Sequence, residues 1–597
     1  MRNSRKNRRR TAAATIAIFL VVSVFVVKLV DIQVVRADAL TTESLHKRSI
    51  AVTTYGARGD IVDTNGIVLA DSVERFDITA SPVIALAKTT FKRTIPGQAA
   101  TVRKPLKEEI SVDQALAELA GATGETVESL RAALEAKPNS DFAYLSRSAD
   151  LDVLRKVQAL NISWVYYERR PSRTYPNGAV AGNLVGFIGT EGPQAGLELK
   201  QDKCVASSDG SSTYERGADG VRLPGSTVTT KQATDGGTLK LTIDADFQWY
   251  VQQQIAAQAR ATGAKWATAV VVRVKDGHLM AVADYPSVDP NNVNGSKTNE
   301  LGSLAFSTPY EPGSTFKAIS AAMLIDAGEA TPKTQVLTPN RLVVKGGTIK
   351  DVFDHGDMRW TTTGVLINSS NIGISLLTRK LPASVRYDYM RKFGVGERSA
   401  VGFAGESTGV LRAVKDWDPV TSRTVTFGQG VSATSIQVAS VYQTLGNGGV
   451  KMPITLVEGC EKTDGTVTGK TKAKGTRVVS TKAANDTVDM LENFVTQGPL
   501  SQVLTIPDYN VAAKTGTAQV ADLVNGGYKK YDRVVSVAGL VPGDKPEYAV
   551  VVTLGEPDTI KTSAAAAPTF TKIVSQVIKT FRVAPSSKKV PYLPATY

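Results

Sequence analysis

The 597 residues hold only two cysteines and three histidines, and each scarcity closes off a chemistry. His46, His278 and His355 are scattered, with no HExxH and no Cys/His spacing of the kind that binds zinc. No catalytic metal and no cofactor are therefore expected. A histidine-centred triad has no support either, and each ring reads as a surface or hydrogen-bonded residue. Cys204 and Cys460 could pair in an oxidising compartment, but they stand 256 positions apart and fall in different expected domains. Two independent thiols are the expectation.

Acid is missing from the first ten residues, where Arg2, Arg5, Lys6, Arg8, Arg9 and Arg10 supply six of the +14 net charge. The +8 left for the rest of the chain is modest, and no basic run interleaves with aromatics. Nucleic acid is not an expected partner; a mildly cationic exterior suits anionic envelope polymers or lipid. A second long apolar run is missing too. The first, Ala12 to Val30, carries one charge, Lys28, near its end. As a helix it spans roughly 28 Å, close to the hydrocarbon thickness of about 30 Å. One transmembrane helix is predicted over 12–32, with residues 1–11 cytoplasmic and everything after about residue 33 outside. Ala37-Asp38-Ala39 has the form of a signal-peptidase site, but it lies too far past an apolar run that is itself long for a signal core.

What is present begins with ordinary globular composition, 42% apolar and 21% charged, which excludes wholesale disorder. The length is too great for one core and predicts two or more folded units. Residues 33–237 read as a mixed, non-catalytic domain. In it, Ile61-Val62 and Ile67 to Ala70 flank an Asn-Gly turn, Ser111 and Gln114 form a capping box, and Leu116, Leu119, Val127, Leu130 and Leu134 mark two short helices. Between about 200 and 237 the chain is rich in Gly, Ser, Thr and Asp, a loop or hairpin excursion followed by a linker. A second domain is predicted over 238–580. It has a hairpin at Thr268–Val274 and Leu279–Ala283 around Lys275-Asp276-Gly277, then helices, then strands at Val511–Gln519, Val534–Leu540 and Tyr548–Leu554. Strands at both ends with helices between predict an antiparallel sheet assembled from distant segments and packed on a helical lobe, an α+β fold. Residues 581–597 form a short Pro/Ser/Lys-rich tail.

The chain is organised around Glu311-Pro312-Gly313-Ser314-Thr315-Phe316-Lys317, a turn entering an apolar, alanine-rich helix. Ser314 is expected on the helix's first turn, where unpaired N–H groups and the partial positive charge favour an oxyanion. Lys317 lies one turn up the same face. Three SxxK patterns occur, at Ser44, Ser314 and Ser586, so context must choose. The only SxN, Ser369-Ser370-Asn371, follows Ser314 by 55 positions, and the only KTG, Lys514-Thr515-Gly516 with Thr517 next, lies 145 beyond. That ordered trio is the signature of penicillin-binding proteins and class A β-lactamases.

With EPGSTFK, SSN and KTGTA, and with RGDIVDTNG, RTYPNG and GLE upstream, nearly the whole chain resembles a class B penicillin-binding protein, a monofunctional peptidoglycan D,D-transpeptidase. The resemblance implies a transpeptidase domain of the serine β-lactamase type behind an elongated pedestal (dimerisation) domain. Two departures stand in the pedestal: Thr64, where relatives usually carry arginine, and a rewritten stretch around Cys204 after Gly196-Leu197-Glu198. The implied roles are Ser314 as nucleophile, Lys317 as candidate base, Ser369 as proton relay and Asn371 as holder of the substrate amide and of Lys317. Lys514 supplies positive charge, Thr515 and Thr517 hydroxyls for the substrate carboxylate, and the N–H groups of Ser314 and Thr517 the oxyanion hole. Gly516 is expected to be glycine so that a substrate strand can dock on the edge. Lys317 must be neutral to act, and an unperturbed lysine would be so roughly once in 2,500 times at pH 7, a cost of about 4.6 kcal/mol.

The implied partners are stem peptides, lipid-linked nascent glycan, a membrane-embedded SEDS-family glycosyltransferase with other divisome or elongasome proteins, and β-lactams as inhibitors. A division role is favoured over elongation because no repeats follow the transpeptidase domain. A β-lactam sensor would need cytoplasmic signalling machinery that about ten basic residues cannot house. A catalytically silent divisome scaffold would be expected to lose a motif residue, and none is lost.

Overall fold

A computed structural model describes residues 2–95, 106–189, 191–215, 225–470, 474–522 and 524–597, except the side chains of 2–5, 44–48 and 299. The side chains of Ser44, His46 and Lys47, and residues 216–224 of the Gly/Ser-rich excursion, lie outside that description. Contacts divide the chain into two units that do not follow a cut at 237.

The first unit comprises Met1–Ala57, Arg75–Pro171 and Ser207–Asp235. It opens with the helix Arg2–Val30. Among the described residues one helix, Lys6–Val35 including its final π turn, is long and apolar enough to cross a membrane, with a mean hydropathy of 2.6. Ser49–Thr54 pairs with Gly210–Glu215, which pairs with Val228–Lys231, so the described part of the Gly/Ser-rich stretch is a hairpin. A second sheet centres on Phe76–Ala80. The helices Val112–Thr123 and Val127–Glu135 bury Leu116, Leu119, Leu130 and Leu134 with Trp164, and the Ser111–Gln114 capping box is present.

The second unit comprises Arg58–Glu74, Ser172–Ala206 and Gly236–Tyr597. Its main sheet is antiparallel, in the order Leu279–Tyr285, Trp266–Arg273, Tyr548–Gly555, Tyr528–Val541, Ala512–Ala521. The hairpin around Gly277 (φ +75°) thus joins strands more than two hundred positions later, as expected for an α+β fold. One face of the sheet is covered by the helices Ala245–Thr262 and Ala567–Thr580, through Phe247, Val251, Ile255, Phe570, Ile573 and Val577. Each such fully buried side chain contributes about 1.5–3 kcal/mol. The other face meets the helical lobe, including Lys317–Asp326, Ser435–Gly446 and Thr481–Gln497.

Three pedestal motifs also fold into this unit. Glu198, with a fully buried side chain, accepts from Arg58 Nε at 2.7 Å and Arg173 Nε at 2.6 Å. Thr64 donates to Glu458 Oε1 at 3.3 Å. The expectation of two independent thiols is wrong: Cys204 and Cys460 form a disulfide, with Cα atoms 5.9 Å apart. The expectation failed because it placed them in separate domains. Leu239 pairs with Cys460 in a sheet, while Gly237 N–H donates to the Cys204 carbonyl at 2.8 Å, so one strand brings both cysteines together.

Candidate active site

Ser314 sits in a 3₁₀ turn, Gly313–Phe316, that feeds the α-helix Lys317–Asp326, so it precedes the α-helix proper and does not lie on its first turn. The turn is set by glycines. Gly313 takes φ +57° and donates its N–H to the Gly428 carbonyl at 3.0 Å. Gly428 has φ +77°, and a Cβ there would stand 2.3 Å from the Gly313 carbonyl oxygen. No side chain fits at that contact.

Lys317 is fully buried, and its Nζ lies 2.8 Å from Ser314 Oγ, 2.6 Å from the Ser369 carbonyl and 2.8 Å from Asn371 Oδ1. Burial drives its pKa down to about 7, against the opposing pull of the Asp351 carboxylate. A neutral amine has two N–H donors and one lone pair. With the donors spent on the Ser369 carbonyl and Asn371 Oδ1, the lone pair faces the Ser314 hydroxyl, the arrangement a general base requires.

Ser369 holds a left-handed backbone at φ +54°, unusual for a side-chain-bearing residue and costly enough that its surroundings must enforce it. Its Oγ lies 3.3 Å from Lys317 Nζ and 3.0 Å from Lys514 Nζ, so one hydroxyl connects the two amines. Lys514 is buried as well, with its Nζ 4.2 Å from the centre of the Phe494 ring. Burial, and then the positive charge of Lys317, hold its pKa well below the lysine range.

Asn371 is oriented by both ends of its amide, since Oδ1 meets Lys317 and Nδ2 donates to the Lys350 carbonyl at 3.0 Å. Sequence reasoning missed the residue that fixes this turn. Asp351 accepts from Ser370 Oγ at 2.6 Å and from the N–H groups of Asn371 and Ile372 at 2.5 and 3.0 Å. His355 Nε2 stands 3.1 Å from the same carboxylate, so this histidine is hydrogen-bonded as expected. Nothing in the spacing from Asp351 to Ser370 signals the contact, which exists only because the hairpin Arg341–Lys350 returns the chain. Phe494 was missed too, its position being one more buried apolar site on a helix.

The KTG strand is the edge of the five-stranded sheet, which leaves one row of backbone groups unpaired by the sheet. Lys514 and Gly516 are buried on one face, while Thr515 is half-buried and Thr517 exposed. Gly516 has a steric reason to be glycine within the protein itself. A Cβ there would lie 2.6 Å from Ser536 Oγ and 2.7 Å from the Pro312 carbonyl. Glycine is required there because the nucleophile's own turn packs against the strand. The same packing sets the Gly313 Cβ direction 3.5 Å from the Thr517 carbonyl carbon, bringing the backbones around Ser314 and Thr517 together. Of the other two SxxK serines, Ser586 accepts the Asn510 N–H at 2.8 Å, a structural contact.

The family model of the penicillin-binding protein transpeptidase domain matches residues 267–575, more than half of the chain, and that of the penicillin-binding protein dimerisation domain matches 53–241. The chain belongs to the penicillin-binding transpeptidase family. Among the relatives of this transpeptidase, penicillin-binding protein PbpB of Mycolicibacterium smegmatis is 33% identical over 96% of this chain and 90% of its own. Peptidoglycan D,D-transpeptidase FtsI of Escherichia coli K12 is 29% identical over 93% and 89% respectively. Penicillin-binding protein 3 of Mycobacterium tuberculosis, solved with ampicillin, superposes with a TM-score of 0.69 at 28% identity, covering 92% of this chain and all of that one.

Proposed function

We propose that the chain is a peptidoglycan D,D-transpeptidase that crosslinks stem peptides through a Ser314 ester, serving septal wall synthesis. The observation that carries the reading is the single hydrogen-bonded set Ser314, Lys317, Ser369, Lys514. Ser314 Oγ attacks the carbonyl between the two terminal D-alanines, and its proton passes to Lys317. The N–H groups of Ser314 and Thr517 hold the oxyanion, and Thr515 and Thr517 the terminal carboxylate. Collapse breaks the amide C–N bond, and Ser369 relays the proton from Lys317 to the departing D-alanine amine. An amine of a neighbouring stem then attacks the ester, running the proton steps in reverse.

The FtsI and PbpB names of relatives support the septal role, and the apolar N-terminal helix with basic residues before it supports a single-pass anchor with the catalytic unit outside. On this reading the partners are lipid-linked glycan, a SEDS-family glycosyltransferase, other division proteins and, as inhibitors, β-lactams. A fluorescent penicillin should label the intact chain and leave Ser314→Ala unlabelled. An unlabelled intact chain would favour a silent scaffold, and hydrolysis without transfer in the presence of an acceptor amine would mark a carboxypeptidase.

A further inference from the structure

Residues 586–597, the greater part of the 581–597 tail set apart in the sequence, form no helix or sheet strand, yet three parts of the segment are tied to residues that neighbour catalytic side chains or lead into them. The first tie is beside the KTG strand. Asn510, four residues before Lys514, donates through its N–H to Ser586 Oγ at 2.8 Å and through Nδ2 to the Lys588 carbonyl at 2.8 Å. Asp544 accepts from the N–H groups of Ser587 and Lys588 at 2.9 and 3.2 Å. The second tie is on the helix Thr481–Gln497. Asn493, next to the Phe494 that covers Lys514, donates to the Pro591 carbonyl at 2.8 Å and accepts the Leu593 N–H at 2.9 Å. The third tie is to the helix Thr362–Ile367, which delivers the chain to Ser369. Its capping residue Thr361 donates through Oγ1 to the Pro594 carbonyl at 2.6 Å and through its N–H to the Ala595 carbonyl at 3.0 Å. A Cβ on Gly364 would stand 1.8 Å from that Ala595 oxygen, so the helix has a glycine where the segment crosses it.

We propose that residues 586–597 are a positioning strap for the acylation site, clamping the Ser369 turn in register with Lys514 and Lys317. The proposal rests on the transpeptidase reading of that site. The left-handed backbone of Ser369 has to be enforced from outside, and the third tie falls on the short helix leading into it. Pro591 and Pro594 restrict the free segment, which lowers the entropy lost when it docks. Most of it lies at the surface and is held by hydrogen bonds more than by burial, the profile of an element that opens locally below the cost of global unfolding. An opened strap frees the Ser369 turn while Ser314 and Lys317 stay anchored in their own helix. Acylation therefore depends on whether the strap is docked.

The test uses the full chain in detergent and two shortened forms, ending at Leu593 and at Pro585, with fluorescent penicillin as probe. Loss of 594–597 removes the third tie, together with the Trp360–Thr596 bridge and the Tyr597 contacts with Arg359 beside it. It is expected to leave the melting temperature within a few degrees while slowing the first-order acylation step about 10- to 100-fold, as a displaced catalytic group does. The dissociation constant for the non-covalent complex should stay unchanged, because the threonines that hold the carboxylate are untouched. A peptide of sequence 586–597 added to the form ending at Pro585 should restore part of the rate. Equal acylation rates in all three forms overturn the strap, as does a rate loss that only tracks the unfolded fraction. No labelling of the intact chain would instead overturn the transpeptidase reading, and the strap with it.

Discussion

Lys317 sets how the site responds to pH. Buried and held to a pKa of about 7, it is neutral above that pH and can take the Ser314 proton; below it the ammonium has no free lone pair. Acylation by a fluorescent penicillin is expected to rise through about pH 7 and level off above it. The Asp351 charge is what keeps that pKa from falling further, so Asp351→Asn should shift the midpoint downward and lower the plateau, as the Asn371 turn loses a charged acceptor. A midpoint that stays put in the variant would remove Asp351 from the electrostatics of the site. Ser314, Lys317, Ser369, Asn371 and Lys514 were legible in the sequence because each lies in a short motif whose chemistry is local. Asp351 was not, since its role exists only through a tertiary contact, and aspartate before a turn is a common local pattern.

At the scale of elements, turn chemistry carried the reading furthest. The Asp276-Gly277 turn and the apolar runs after Val511 marked the strands that form the main sheet, because period and turn residues are written locally. What was not written is which side of an element faces what. Gly516 was expected to be glycine for a docking substrate strand, and the structure adds that the turn of Ser314 leaves no room for a side chain there. Gly516→Ala should therefore act without substrate, by forcing the strand and the nucleophile's turn apart. An overpacking cost of about 1–3 kcal/mol is expected, together with slower acylation, measured as a lowered melting temperature and a lowered penicillin acylation rate in one preparation. Unchanged stability with weakened binding alone would return the glycine to the substrate. The strap was invisible for a related reason: apart from Ser586 Oγ, the ties described use the segment's own carbonyls and N–H groups, which every residue carries and which leave no side-chain pattern in it.

For the whole molecule, composition and length pointed to two or more folded units and one long apolar helix, but not to how the chain is shared between units. Arg58–Glu74 and Ser172–Ala206 fold with the transpeptidase unit, an arrangement that interleaves distant segments and that no composition shift announces. The disulfide follows from that interleaving. By loop entropy, a cross-link closing 256 residues stabilises the folded chain by about 5.5 kcal/mol. Replacing Cys204 and Cys460 with serine should lower the denaturation midpoint, with Ser314 labelling retained at 25 °C. Equal midpoints would show that the surrounding sheet needs no staple.

That covalent link also dates the molecule. Residue 460 is synthesised 256 positions after its partner, so the bond closes only once the chain has been extended that far, and only where thiols can be oxidised. Chains that have not closed the bond keep two thiols that a maleimide-polymer tag can count on a gel, whereas closed ones gain no mass. The ratio of the two bands reads out how much of this protein has reached its cross-linked form.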